Sequence, residues 1–106
     1  MIAMLGGAPH ARQPPLKLVR LDTSPLATKK WRAVWSDGRH TDFGAAGYSD
    51  YTIHKDAARR ARYRMRHARD RLDDPRSPGA LSWYVLWGDS TSLRANMRAF
   101  KARFGV

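Results

Sequence analysis

The sequence contains no cysteine, and this absence excludes several kinds of chemistry. Without a thiol the chain cannot form disulfides, use a cysteine nucleophile or bind a metal through thiolates. Long hydrophobic runs are also missing, because no apolar stretch approaches the ~20 residues that cross a bilayer. The apolar start, MIAML, is too short for a signal peptide. We therefore predict a protein that is neither secreted nor transmembrane and that has no membrane partner.

Acidic residues are scarce in comparison with basic ones. The chain has 9 Asp and Glu residues against 20 Lys and Arg residues, which gives a formal net charge of +11. Such an excess favours an anionic partner, for example nucleic acid or an acidic protein. With 106 residues, of which 42% are hydrophobic, the chain has room for one modest core. We predict a flexible lead at 1–15 and a single basic domain at 16–106.

The clearest local pattern is a β-hairpin at about 29–43. KKWRAVW alternates between apolar and polar or basic positions, and HTDF forms the returning strand. Asp37-Gly38 between them is the favoured pair for a two-residue turn, in which both residues take positive φ. Residues 16–22 predict a further strand, although its apolar residues fall on both faces.

Three helices are predicted after a loop at 44–52. They cover about 57–72, 79–87 and 92–104. We predict Asp56 as the N-cap of the first and Ser77-Pro78 as the start of the second. The fold class is therefore α+β, with a small antiparallel sheet packed against two or three helices.

The first of these helices is strongly basic. Between His54 and Arg71, eight of eighteen residues are Lys or Arg and only two are Asp. At 100° per residue, an apolar strip predicts the face that packs on the core. The strip consists of Ala58, Ala61, Met65, Ala68 and Leu72. Basic residues flank it in two stripes, one formed by Lys55, Arg59, Arg62, Arg66 and Arg69 and the other by Arg60, Arg64, His67 and Arg71.

The longer basic stripe is the candidate nucleic-acid-binding surface. It spans about 21 Å, which is enough to contact several phosphates. Arginine also suits this role because its guanidinium group binds two oxygens at once. We assign the contact to Lys55, Arg59, Arg62, Arg66 and Arg69, assisted by Arg94 and Arg98. The alternative is a solvated face whose arginine stems cover the apolar strip.

Aromatic residues are interleaved with these charges. Exposed aromatic rings in basic grooves stack on bases in proteins that bind single strands, but we favour Trp31 and Trp35 as residues that face the core and Trp83 and Trp87 as residues that fill it. Tyr63 falls outside the apolar strip, and we predict that it is partly exposed. For docking on another protein, the candidate residues are Tyr48, Tyr51, Trp83 and Trp87.

Catalytic signals are weak. A small enzyme would need His40, Asp42 and His54 to converge in one pocket, and these residues have no recognised metal-ligand spacing. No GxxxxGK[ST] phosphate loop is present. We predict no catalytic residue, no metal site, no cofactor and no enzymatic activity.

The segment FGAAGYSDYTIHKDAARRARYRMRHARDR, with the following DDPRSPGALSWYVLWGDSTSL, resembles a small uncharacterised protein family. Large nucleocytoplasmic DNA viruses of algae and amoebae encode it. The matching elements are Phe43-Gly44, Gly47 to Thr52, His54 to Asp56 and Gly79 to Trp87, and the resemblance covers about 29–104. Ala57 departs from it, since relatives tend to have proline there. The resemblance implies a viral origin and a location in the virion or in the nucleus or cytoplasm of an infected cell, but no activity.

Together these patterns predict a non-enzymatic basic viral protein that binds DNA or RNA mainly through phosphates and is packaged with the genome. The alternative is a minor structural component of the virion. In that case the GYSDYT loop and the LSWYVLW segment would dock on a capsid protein or another virion protein.

Overall fold

The computed structural model describes residues 14–106, and within them it contains one antiparallel sheet and four helices. The predicted α+β class is confirmed. The predicted lead at 1–15 lies outside the described residues except for Pro14 and Pro15. The strands are β1 (Leu18–Thr23), β2 (Lys29–Trp35) and β3 (His40–Ala45). The helices are α1 (Tyr51–His54), α2 (Ala57–His67), α3 (Pro78–Leu81), which continues into a π-helical segment (Ser82–Leu86), and α4 (Leu93–Phe104).

The sheet has the order β1-β2-β3, and a bulge in β1 explains the irregular pattern of the first strand. Leu18 pairs with Trp35, whereas Arg20 pairs with Val34, so that Val19 is an extra residue in the ladder. An extra residue reverses the alternation of faces beyond it. Leu18 and Leu21 consequently both pack on the core, while Val19 is exposed.

The hairpin between β2 and β3 is confirmed, but its turn has three residues rather than two. Trp35 N–H donates to the Arg39 carbonyl, and Gly38 N–H donates to the Trp35 carbonyl. Gly38 alone in this turn has a positive φ, of 88°. This is the loop in which a type I turn precedes a left-handed glycine, and it requires positive φ at one position only.

The three predicted helices are present with altered bounds. The Asp56 carboxylate caps α2 by accepting from Ala58 N–H and Arg59 N–H, and these bonds lower its pKa. The helix ends at His67 instead of residue 72, because Asp70 N–H bonds the His67 carbonyl and tightens the chain into a turn. None of the helices within residues 14–106 is long and apolar enough to span a bilayer.

A short helix that the sequence pattern missed, α1, occupies part of the predicted loop. Asp50 caps it by accepting from Thr52 N–H at 2.9 Å, and Lys55 ends it with a positive φ of 58°. The signal was an Asp followed two residues later by Thr, which is too short a pattern to distinguish a helical turn from a loop.

The core lies between one face of the sheet and the last two helical segments. Ala33, Trp35 and Phe43 supply the sheet side. Leu81, Val85, Leu86 and Phe100 cover it from the helices, and all four are buried. Gly44 makes the close approach possible, because a Cβ there would lie 2.8 Å from Leu86 Cδ1. Its φ of 80° is also unfavourable for other residues.

Helix α2 faces the protein with a different side from the one predicted. Ala58, Ala61, Met65 and Ala68 are exposed, and Met65 retains 81% of its accessible surface. The buried residue of the helix is Tyr63, which is 8% exposed. The predictions of an inward apolar strip and of a partly exposed Tyr63 are both wrong. Tyr63 stacks on Trp87, and Arg64 beside it bonds the Trp87 carbonyl, so these contacts decide which side of the helix packs on the protein.

A buried ion pair fixes the segment that connects the sheet to the helices. Lys30 Nζ on β2 lies 2.6 Å from Asp50 Oδ2, and Asp50 is 1% exposed. The other carboxylate oxygen accepts from the backbone and the hydroxyl of Thr52. Every oxygen of this buried carboxylate is therefore bonded, as a buried charge requires.

Asp50→Ala is expected to lower the free energy of unfolding by about 3 kcal/mol, because it leaves the Lys30 ammonium without a partner in a largely buried position. Asp22→Ala is the matched control. It breaks the exposed pair with Arg20, and its cost should stay below about 1 kcal/mol. Urea unfolding of both variants measures the difference. Equal costs would mean that the Lys30–Asp50 pair does not stabilise the fold.

Candidate functional site

A cleft with a volume of about 580 Å³, here called the basic cleft, lies beside α2. One wall comes from the start of β2 and the segment after β3. The other walls come from α2 and from the region of α3. Four cationic side chains border it: Lys29, Arg59, Arg62 and Arg66. Tyr48, Tyr63, His67, Asp70, Ser82 and Trp87 also line it.

The arginines of the cleft have no partner within residues 14–106. Arg59, Arg62 and Arg66 are exposed, and their side chains form no hydrogen bond or ion pair there. The one carboxylate on the cleft, Asp70, bonds His67 Nδ1 at 2.9 Å. These arginines are therefore available to bind an external anion.

The remaining predicted phosphate contacts lie elsewhere. Lys55 occupies the left-handed position that ends α1, and Arg69 follows the end of α2. Arg94 and Arg98 are exposed on α4. None of these four residues lines the basic cleft. The structure thus brings together three members of the predicted set, Arg59, Arg62 and Arg66, and adds Lys29, which lies near α2 only through the tertiary fold.

The second basic stripe of α2 is turned inward. Arg60 Nε donates to the Gly88 carbonyl at 2.7 Å, and Arg64 Nη2 donates to the Trp87 carbonyl at 3.1 Å. Arg64 also lies over the Trp83 ring, 4.3 Å from its centroid. The last carbonyls of a helix have no partner within it, and cations near that end are favourable. Arg60 and Arg64 therefore bind the end of the π-helical segment and serve the fold.

Three aromatic rings form a column that lines the basic cleft together with the arginines. Tyr63 stacks on Trp87 with centroids 4.2 Å apart and planes 2° apart. His67 stacks on Tyr63, also at 4.2 Å. Two rings at this distance from one ring must lie on its opposite faces, and Tyr63 is therefore the middle member. Burial raises the pKa of Tyr63 to about 12, and its hydroxyl stays protonated at neutral pH.

The four residues predicted to dock on a protein occupy different environments. Tyr48 is 73% exposed, whereas Trp87 is 9% exposed. Tyr51 and Trp83 are half-buried, beneath Arg60 and Arg64 respectively. Among these four aromatic residues, Tyr48 is therefore the one whose ring is largely free to meet a partner.

Of the three residues considered for catalysis, His40 and Asp42 are neighbours, whereas His54 has different surroundings. The Asp42 carboxylate accepts hydrogen bonds from Ser24 and Arg32. The Nε2 atom of His40 lies 3.6 Å from Asp42 Oδ2. His54 instead packs against Trp87 and accepts from Asp56 N–H. None of the three lines the basic cleft. In the part of the chain that the structure describes, no three His, Cys, Asp or Glu side chains are grouped so that they could hold a metal ion.

Residues 19–67 match the model of a family of unknown function, DUF5754. The match runs from β1 to the end of α2 and stops short of residue 104, to which the viral resemblance extends. No curated protein and no solved structure matches the chain. The similarity names no activity, partner or source, and the viral origin stays a prediction.

Arg64→Ala is expected to lower the free energy of unfolding by about 2 kcal/mol, since it removes charge-assisted hydrogen bonds to the Trp87 carbonyl. Arg66→Ala, two residues further along α2 on an exposed side chain, is the matched control and should change stability by less than about 0.5 kcal/mol. Chemical denaturation measures both. A cost for Arg66→Ala as large as that for Arg64→Ala would show that the inward arginine is not a structural anchor.

We expect His54 to make the free energy of unfolding depend on pH. Its Nε2 atom is buried without a partner within residues 14–106, and burial lowers its pKa from the ordinary value of 6.5. Below pH 6.5 the imidazole of His54 becomes protonated in the unfolded chain before it does so in the folded protein. The folded state is therefore fully stabilised above pH 6.5 and loses this stabilisation as the pH falls through the lower pKa of the folded state.

His54→Asn keeps an acceptor for Asp56 N–H but does not titrate in this range. We expect the melting temperature of the wild type to fall more steeply than that of the variant between about pH 7 and pH 5. Thermal unfolding followed by circular dichroism measures the two curves. Parallel curves would show that the charge state of His54 does not affect folding.

Proposed function

We propose that this protein binds nucleic acid through the backbone phosphates in the basic cleft. The observation that carries the proposal is the presence of Arg59, Arg62 and Arg66, unpaired within residues 14–106, on one concave surface with Lys29. Guanidinium groups bind phosphate oxygens in pairs, and a concave surface of one charge attracts polyanions.

The spacing of the arginines supports a polymer rather than a single anion. Arg59 and Arg66 are two helical turns apart, which corresponds to about 10 Å along α2. A row of that length contacts consecutive phosphates of a chain, whereas an isolated phosphate reaches one guanidinium group or two neighbouring ones. The net charge of +11 adds a longer-range attraction to any polyanion.

The alternative is docking on another protein through the GYSDYT loop and the LSWYVLW segment, and the second of these has little support. Leu81, Val85 and Leu86 are buried in the core, and Trp87 is stacked on Tyr63. The segment therefore has little apolar surface left for a partner. Packaging with a viral genome is an extension of the proposal, and its support is the resemblance to viral proteins alone.

Replacing Arg59, Arg62 and Arg66 together by alanine is expected to weaken binding to DNA or RNA and to flatten its salt dependence. For duplex DNA, log affinity falls with log salt at about −0.9 per neutralised phosphate, so the slope should become shallower by roughly two to three units. Fluorescence anisotropy at several salt concentrations measures it. Alanine suits an exposed helix, and the fold should be retained.

The matched control replaces Arg94, Arg98 and Lys101, which removes the same charge from the exposed side of α4. It should change the slope by less than about one unit. An equal flattening by both triple variants would show that binding depends on overall charge and would exclude the basic cleft as the site. No salt-dependent binding by the wild type would contradict the proposed function itself.

A further inference from the structure

We infer that the basic cleft takes single-stranded rather than duplex nucleic acid, and that Tyr48 and His67 stack on unpaired bases while the arginines hold the phosphates. This inference rests on the proposed function and adds the class of nucleic acid. It comes from the aromatic groups on the cleft, since the charges alone would suit a duplex equally well.

His67 offers a ring face at the edge of the cleft. Its inner face is covered by Tyr63 at 4.2 Å, and its Nδ1 atom bonds Asp70 in the plane of the ring. Neither contact covers the outer face, and 39% of the side chain is exposed. A base placed there would continue the column of rings formed by Trp87, Tyr63 and His67.

Tyr48 is the second platform. It lies in the segment after β3, is 73% exposed and lines the same cleft as the arginines. A largely exposed aromatic side chain has no packing role that explains its size. Beside a row of phosphate-binding groups it can stack on any base, because every base has a π face.

A duplex could not use these two rings. Its bases are stacked on each other, and only their edges are accessible in the grooves. A single strand can turn its bases toward the protein, and each stacked base adds affinity without sequence preference. The rings and the arginines lie on one concave surface, as simultaneous contact with bases and phosphates requires.

The test compares three probes with the same fluorescent label: a thymidylate strand about twelve nucleotides long, an abasic strand of equal length and a duplex. The abasic strand keeps the phosphates and lacks the bases. The affinity of the wild type for the thymidylate strand should exceed its affinity for the abasic strand by a factor of about ten or more. Equal affinity for these two strands would overturn the inference.

Tyr48→Ala isolates the stacking contribution, because a side chain that is 73% exposed adds little to the packing of the fold. It should weaken binding of the thymidylate strand about ten-fold and leave the abasic strand unchanged. Tyr48→Phe keeps the ring and should bind like the wild type. His67→Phe should also keep the affinity, whereas His67→Ala should lower it. A loss of affinity for the abasic strand in Tyr48→Ala, or no loss for thymidylate, would contradict the stacking role.

The two proposals fail in different ways. If all three probes bind equally and with the same salt dependence, the single-strand inference is wrong and phosphate binding stands. If none of them binds in a salt-dependent manner, the proposed function is wrong, and this inference with it.

Discussion

The orientation of α2 depends on its contact with the end of the π-helical segment, and the candidate site depends on that orientation. Arg60 and Arg64 bond the carbonyls of Trp87 and Gly88, and Tyr63 stacks on Trp87 between them. These contacts satisfy backbone acceptors that a helix end leaves open. They also set the rotation of the helix about its axis, which leaves the arginines on its other flank facing the basic cleft.

The same junction connects the site to the core. The π-helical segment packs on β3, where Gly44 lets Leu86 approach the backbone closely. Asn96 on α4 donates to the Val85 carbonyl at 2.9 Å and thereby joins the last helix to the same segment. Since this segment holds α2 from one side and the core from the other, the cleft arginines are presented by a packed framework. Preorganised charges of this kind lose less conformational freedom on binding.

Much of the fold could be predicted from local patterns. The hairpin follows from the alternation of Trp31, Ala33 and Trp35, and α2 follows from the Asp56 cap. The predicted end of α2, at residue 72, was wrong because it depends on an interaction that the helical pattern does not contain. The end of α2 is set by Asp70, whose backbone and side chain both bond His67. The inward face was wrong because helical periodicity contains no information on the contacts that Tyr63, Arg60 and Arg64 make with Trp87 and Gly88.

For the candidate site, the sequence by itself determined the charge, the helix that carries most of it and the spacing of Arg59, Arg62 and Arg66. These properties follow from residue identity and helical geometry, which are local. Only the tertiary structure decided which arginines stay free, because partners such as the Trp87 carbonyl lie more than twenty residues away. It also decided that Lys29, Tyr48 and His67 share one surface with them. Contacts between distant segments depend on how the core packs, and no pattern within a single helix or strand contains that information.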